Sequence, residues 1–282
     1  MVAPISIEQK DLANNHLDRS ISFAMCGKID QAIEAALKAV EIDPEFGQAY
    51  NKLGDYYLKK GMVKEAADVY RKAIDINPDS HNSHFDLGRT LALLGQYDEA
   101  LASLNIASDI KPAHGETYAH IGMIYINKEE YSQAVDYLQQ ALNNDPDHLM
   151  ANFLMGIACK NTGKENQANN YFNAVIARYK TLTNMKSRFA EGYYYIGKCY
   201  HYMGDLEKAA ENLEKAVEFD TEAVDYHYSF GMLYSDADAF FSLAQVLHES
   251  GKTREASDNL KKALELEPNN QKFQQFKSKV GI

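Results

Sequence analysis

Apolar residues in this chain recur three and four positions apart in short runs, and the runs come in pairs. Between Gly47 and Ser80, Tyr50, Leu53 and Tyr57 form one stripe, and Ala66, Tyr70 and Ala73 form a second. Each stripe is the buried side of an amphipathic helix. Gly61 lies between the runs, where a helix end favours a residue that can take left-handed geometry. Pro78 closes the second run, because proline cannot continue a helix and restricts Asn77 before it. The unit therefore reads as an antiparallel helix hairpin. Gly54 leaves a gap in its own stripe, so the second helix can approach there, with Ala66 and Ala73 as the matching small surface and Tyr70 filling the space between.

The hairpin repeats. Pro44, Pro78, Pro112 and Pro146 are spaced by thirty-four residues, as are Ala32, Ala66, Ala100, Ala134 and Ala168, and Gly54, Gly88, Gly122 and Gly156. A period of this size marks stacked supersecondary units, each covering the apolar side of its neighbour. Tyr50, Leu53, Gly54, Tyr57, Ala66, Tyr70 and Pro78 fall in the order W-x2-L-G-x2-Y…A-x3-F…P, with Tyr in the Trp place. The chain thus resembles the tetratricopeptide repeat family. That resemblance implies an all-α fold, a right-handed α-solenoid of stacked antiparallel helix hairpins, and a role in recognising other proteins.

One elongated domain over residues 1–282 is expected, with repeats at 13–46, 47–80, 81–114, 115–148, 149–189, 190–223 and 237–270. The first is degenerate, with Arg19 and Ser20 where Leu and Gly are expected, which suits a terminal unit whose outer side meets water. The fifth is elongated. Ala209 follows Ala168 by forty-one residues, and the seven added residues make roughly two helical turns that extend its second helix to about Lys186. Arg178, Lys180, Lys186 and Arg188 make this the most basic stretch of the chain, read as a solvated helix end or as an anion or partner contact. Residues 224–236 are half a unit, which either forms an irregular hairpin with the next helix or fuses with it. Residues 271–282 are expected to cap the open end.

Charge and composition narrow the partners. With 29 Lys and Arg against 40 Asp and Glu, the net charge is −11, and no basic stripe exists to displace counterions from a nucleic-acid duplex. Basic partners are favoured instead. No apolar run approaches the ~20 residues that span a bilayer, and Met1 to Lys10 lack the pattern of a secretory leader. Three cysteines, Cys26, Cys159 and Cys199, cannot all pair within the chain and are expected as half-buried thiols, so a cytoplasmic setting follows.

Candidate chemistry is sparse. His81 and His84 share a helix start, but only Asp79 and Asp86 accompany them as acids near that turn, so neither metal nor cofactor is expected. No G-x-S-x-G, H-E-x-x-H or phosphate-loop pattern is present, and the chain is not expected to be an enzyme.

In tetratricopeptide arrays the first helices line the concave side, with places two, five, nine, twelve and thirteen facing it. The resemblance carries this onto Asn51, Asp55, Phe85, Arg89, Met123, Ile126, Asn127, Phe153, Ile157, Lys160, Tyr194, Lys198, His201 and Tyr202. Glu191 falls in the same set. The apolar members read as a stripe for an amphipathic helix or an extended segment of a partner protein. The alternative is that these side chains pack within the chain or on a second copy. The Lys and Asn clamp that some relatives use for a C-terminal carboxylate has no counterpart, since Leu17, Ile21, Asn51 and Asp55 occupy its places.

The expected function is a non-catalytic scaffold or adaptor. One alternative is a self-assembling scaffold similar to magnetosome-associated tetratricopeptide proteins, a homo-oligomer built through Leu17, Ile21 and Met25. Another is a regulatory array with a small-ligand pocket at Tyr194, Lys198, His201 and Tyr202.

Overall fold

The computed structural model describes residues 5–185, 189–219 and 235–280, and these are helical hairpins without a strand among them. The chain divides into two compact units, Met1–Ile124 and Tyr125–Ile282. The first holds α1 (Ile7–Met25), α2 (Ile29–Ile42), α3 (Gly47–Lys59), α4 (Val63–Ile76), α5 (His81–Leu93), α6 (Tyr97–Ile110) and most of α7 (Gly115–Asn127). The second holds α8 (Tyr131–Asn144), α9 (Leu149–Asn161), α10 (Glu165–Met185), α11 (Ala190–Met203) and α12 (Leu206–Glu218), followed by α13 (Asp236–Glu249), α14 (Thr253–Leu266) and α15 (Gln271–Val280). From α1 to α6 in unit 1, and from α8 to α15 in unit 2, helices adjacent in sequence pack on one another.

The hairpin geometry follows from two positions. A Cβ at Gly54 would lie 2.5 Å from Cζ of Tyr70, so the ring occupies the volume that the glycine leaves empty. The relation recurs sixteen residues apart at Gly88 and Leu104, Gly156 and Phe172, and Gly197 and Leu213. At the hairpin bend Gly61 has φ +72°, and the Met62 amide donates to the Tyr57 carbonyl at 2.9 Å, closing a Schellman-type end.

At the equivalent bend of residues 115–148 the left-handed residue is Glu129, φ 61°, where the other bends use glycine. A side chain in this region costs about 1–2 kcal/mol, partly offset by the unfolded-state freedom a glycine adds. Glu129→Gly is therefore expected to stabilise the chain by about 0.5–1 kcal/mol. A urea midpoint that falls would contradict this.

α1 begins at Ile7, ahead of the repeat register, because Ser6 and Gln9 form a capping box there. Ser20, in the glycine place, uses its side chain to pin the helices: its hydroxyl donates to the Leu17 carbonyl at 2.6 Å and meets the Tyr56 hydroxyl at 3.2 Å. Arg19, with His16, Gln31, Glu34 and Lys38, lines a cleft of about 260 Å³ between α1 and α2. α10 spans 21 residues, against 14 for α8.

The half unit expected at 224–236 lies almost wholly outside the described residues. Its junction does not. Ser235 is the extended N-cap of α13 and forms a capping box with Asp238, so a helix running unbroken into α13 is not formed. At the other end of this pair Phe273 of α15 is fully buried, 4.5 Å centroid to centroid from Phe241.

The cysteines depart from expectation in one respect. All three are free thiols, but Cys26, at the C-cap of α1, is exposed, whereas Cys159 and Cys199 are buried. Burial pushes both buried thiols above their ordinary range.

Candidate functional site

The first helices of unit 1 carry an ordered polar row. On α3, Lys52 and Asp55 are three residues apart and pair at 2.9 Å, while the Tyr70 hydroxyl of α4 donates to the other Asp55 oxygen at 2.9 Å. On α5, Arg89 donates to Asp86 at 2.9 Å with only 15% and 19% of the two side chains exposed. The Arg89 guanidinium also lies 5.9 Å from the Phe85 ring centroid. Asn51 is tied to α5, the first helix of the next repeat, accepting from the Ser83 hydroxyl at 3.0 Å.

Electrostatics in this row are set by burial. Burial raises the Asp86 carboxyl to about 6; Arg89 opposes the shift and Asp55 adds to it. Burial pulls the Lys52 ammonium down, but the charge and hydrogen bond of Asp55 more than offset this, and the net shift is upward. Burial and then Asp55 raise the Tyr70 hydroxyl, keeping it a donor.

A raised folded-state carboxyl contributes stability that is complete below its unfolded value near 4 and is lost as pH rises through about 6. Asp86→Asn removes that slope, so wild type should lose about 2–3 kcal/mol relative to the variant between pH 4 and pH 7. Urea unfolding across that range checks it, and parallel profiles would contradict it.

Phe85 does not face solvent as expected. It is 9% exposed, ringed by His81, His114 and His120 at centroid distances of 6.0, 5.2 and 5.3 Å. Met123 is likewise buried, at 7%. His84 is held by the chain itself: its Nε2 donates to the Pro78 carbonyl at 2.8 Å. Among the described residues no group of three or more His, Cys, Asp or Glu is disposed to hold a metal ion.

In unit 2 the expected apolar stripe is largely consumed by packing. Phe153 is 5% exposed and meets Phe172, Tyr195 and Tyr202 at 6.1, 5.4 and 5.9 Å. Tyr202 stacks on Phe172 at 5.5 Å, with the Lys198 ammonium 5.5 Å from its ring centroid and the Lys160 ammonium donating to its carbonyl. Glu191 is buried and accepts from the Tyr179 hydroxyl at 3.2 Å.

Of the remaining members, Ile126, Ile157, Tyr194, Lys198 and His201 are half-buried, and Asn127 and Lys160 are exposed. His201 donates through Nε2 to Glu249 at 2.9 Å. Burial, reinforced by the like charge of Lys272, lowers the Lys198 ammonium to about 8.

Lys52, Asp86 and Tyr70 belong to the polar row although they stand outside the five groove places. Two cation–carboxylate spacings of three residues, Lys52 to Asp55 and Asp86 to Arg89, were the available signal.

Helix hairpins that present ordered polar and aromatic side chains on their first helices define a class of protein, the helical-repeat interaction scaffold. Models of the tetratricopeptide repeat match residues 26–81, 69–102, 115–148, 190–223 and 237–270, and the chain belongs to that family. A comparison with curated proteins gives no match.

Solved structures share the fold. A tetratricopeptide repeat protein from Parabacteroides merdae ATCC 43184 is 18% identical, covering 96% of this chain and 100% of that one, with a TM-score of 0.71. PilW, a type IV pilus biogenesis factor, is 19% identical over 72% of this chain and 91% of its own, with a TM-score of 0.60. MamA is 21% identical over 58% of this chain and 96% of its own, with a TM-score of 0.54.

Proposed function

We propose that this chain is a non-catalytic adaptor that receives a segment of a partner protein along its first helices, and that recognition in unit 1 runs through the polar row. The observation that carries this reading is the pair of ion pairs on α3 and α5. Asp55 is fixed by Lys52 and Tyr70, and Arg89 by Asp86 and Phe85, so both side chains are already ordered while 30% and 15% exposed. A partner then orders few rotamers on binding, which is where preorganised sites gain affinity. Asn51, and the exposed Glu116 at place two of residues 115–148, extend the same surface, and in unit 2 the half-buried Ile157, Tyr194, Lys198 and His201 offer a second one.

The free thiols support a reducing, cytoplasmic setting. No described helix is long and apolar enough to cross a membrane. Self-assembly through the first repeat has less support, because Leu17 is buried against Ala39 and Ala49 and Ile21 packs beside it, leaving Met25 as the exposed member. A small-ligand pocket at Tyr194, Lys198, His201 and Tyr202 has less support too, since His201 is engaged by Glu249 and Tyr202 by Phe172.

Pull-down from native extract, read by mass spectrometry, tests the proposal. A double reversal, Asp55→Lys with Arg89→Glu, folded by circular dichroism, should lose a protein that wild type retains. Capture of the same set by both would overturn the polar row as the recognition surface.

A further inference from the structure

A second surface lies in unit 2, on the side built by second helices. The C-terminal end of α12 and residues 255–262 of α14 flank a groove of about 550 Å³ over α13, with Val217 and Phe240 among its apolar lining. Glu214 and Glu218 border it on α12, Glu255 and Asp258 on α14. Among the described residues, Glu214, Glu218 and Glu255 make no side-chain hydrogen bond or ion pair, whereas the neighbouring Glu211 is neutralised by Lys215 at 2.7 Å and Asp258 has Lys261 at 3.7 Å. The groove's own cation, Lys262, is 5.1 Å from the Phe240 ring centroid, so the aromatic floor already serves as a seat for an ammonium.

Four lining carboxylates against the one lining cation Lys262 leave the rim net negative over an apolar floor, and this favours a cationic occupant. We propose that this groove docks a lysine- or arginine-bearing amphipathic helix of a partner protein, its apolar side on Val217 and Phe240 and its cations on Glu214, Glu218 and Glu255. A partner held here and a segment held on the first helices would occupy separate surfaces of one scaffold.

The test uses the full chain and two synthetic helical peptides of about 14 residues with the same leucine face, one with lysine and one with glutamate on the polar face. Fluorescence anisotropy is read against wild type, against Glu214→Lys/Glu218→Lys/Glu255→Lys, and against Glu41→Lys/Glu65→Lys/Asp75→Lys. The last makes the same change in net charge on exposed positions of α2 and α4, and both variants are checked by circular dichroism.

The lysine peptide should bind wild type and the α2/α4 variant alike, and the groove variant about tenfold or more weakly; the glutamate peptide should not bind. Equal weakening in both variants would reduce the effect to net charge and overturn the proposal. So would equal binding of the two peptides, or a wild-type dimer that excludes the peptide and dissociates on the groove reversal. None of these outcomes bears on the polar row of unit 1, whose variants are separate.

Discussion

Phe153→Ala is expected to destabilise unit 2 by about 3–5 kcal/mol, the range for removing a buried aromatic ring from a packed core. Its place on the first helix of residues 149–189 would make it a free groove residue with little weight in stability. Instead Phe172, Tyr195 and Tyr202 surround it, and the stack of Tyr202 on Phe172 closes the remaining side. Loss of the ring leaves a void that rigid aromatic neighbours cannot easily collapse into. Urea unfolding followed by near-ultraviolet circular dichroism would report both the energy and the disturbance of the tyrosines. A change below about 1 kcal/mol would mean that Phe153 stands free of this cluster.

Gly54→Leu should be costly in unit 1, for the opposite reason. Even a Cβ would come within 2.5, 2.6 and 3.0 Å of three Tyr70 ring atoms. Tyr70 cannot swing aside, because it is fully buried and its hydroxyl is fixed on Asp55. Helices α3 and α4 must therefore separate. Overpacking of this kind costs about 1–3 kcal/mol, and a leucine against an immobile ring lies at or above the upper end. Gly54→Leu with Tyr70→Ala should recover part of the loss, since the ring and the added side chain compete for one volume; a purely additive double variant would contradict that reading.

These two positions show why the fold is legible in the sequence and the site less so. Gly54 and Tyr70 answer a constraint inside one hairpin. The missing side chain and the ring that fills its volume sit sixteen residues apart on the same two helices, and each recurrence repeats the evidence. The exposure of Phe153 depends instead on what the next hairpin places opposite it. Tyr195 and Tyr202 occupy places six and thirteen of residues 190–223, and nothing local to Phe153 signals that they reach back to it.

Phe85 follows the same logic in part: His81 is four residues back on its own helix, but His114, just ahead of α7, and His120 on α7 close around it only in the folded unit. The polar row fails in the other direction. Asp86 stands at place six, outside the groove set, yet burial raises its carboxyl, with Asp55 one repeat away adding to the shift and the paired Arg89 opposing it. The bend at Glu129 is a further case: left-handed geometry is imposed there by the hairpin, although the residue type argues against it.

If a partner segment lies on the first helices of unit 1, it must shield their carboxylates. Carboxyl footprinting with a carbodiimide and an amine label, quantified by mass spectrometry on the captured complex and on the free chain, tests it most directly. Asp55 and Glu116 are expected to lose labelling in the complex while Glu65 and Asp75 of α4 keep theirs. Protection of Glu65 and Asp75 with Asp55 and Glu116 unchanged would place the partner on the second helices instead.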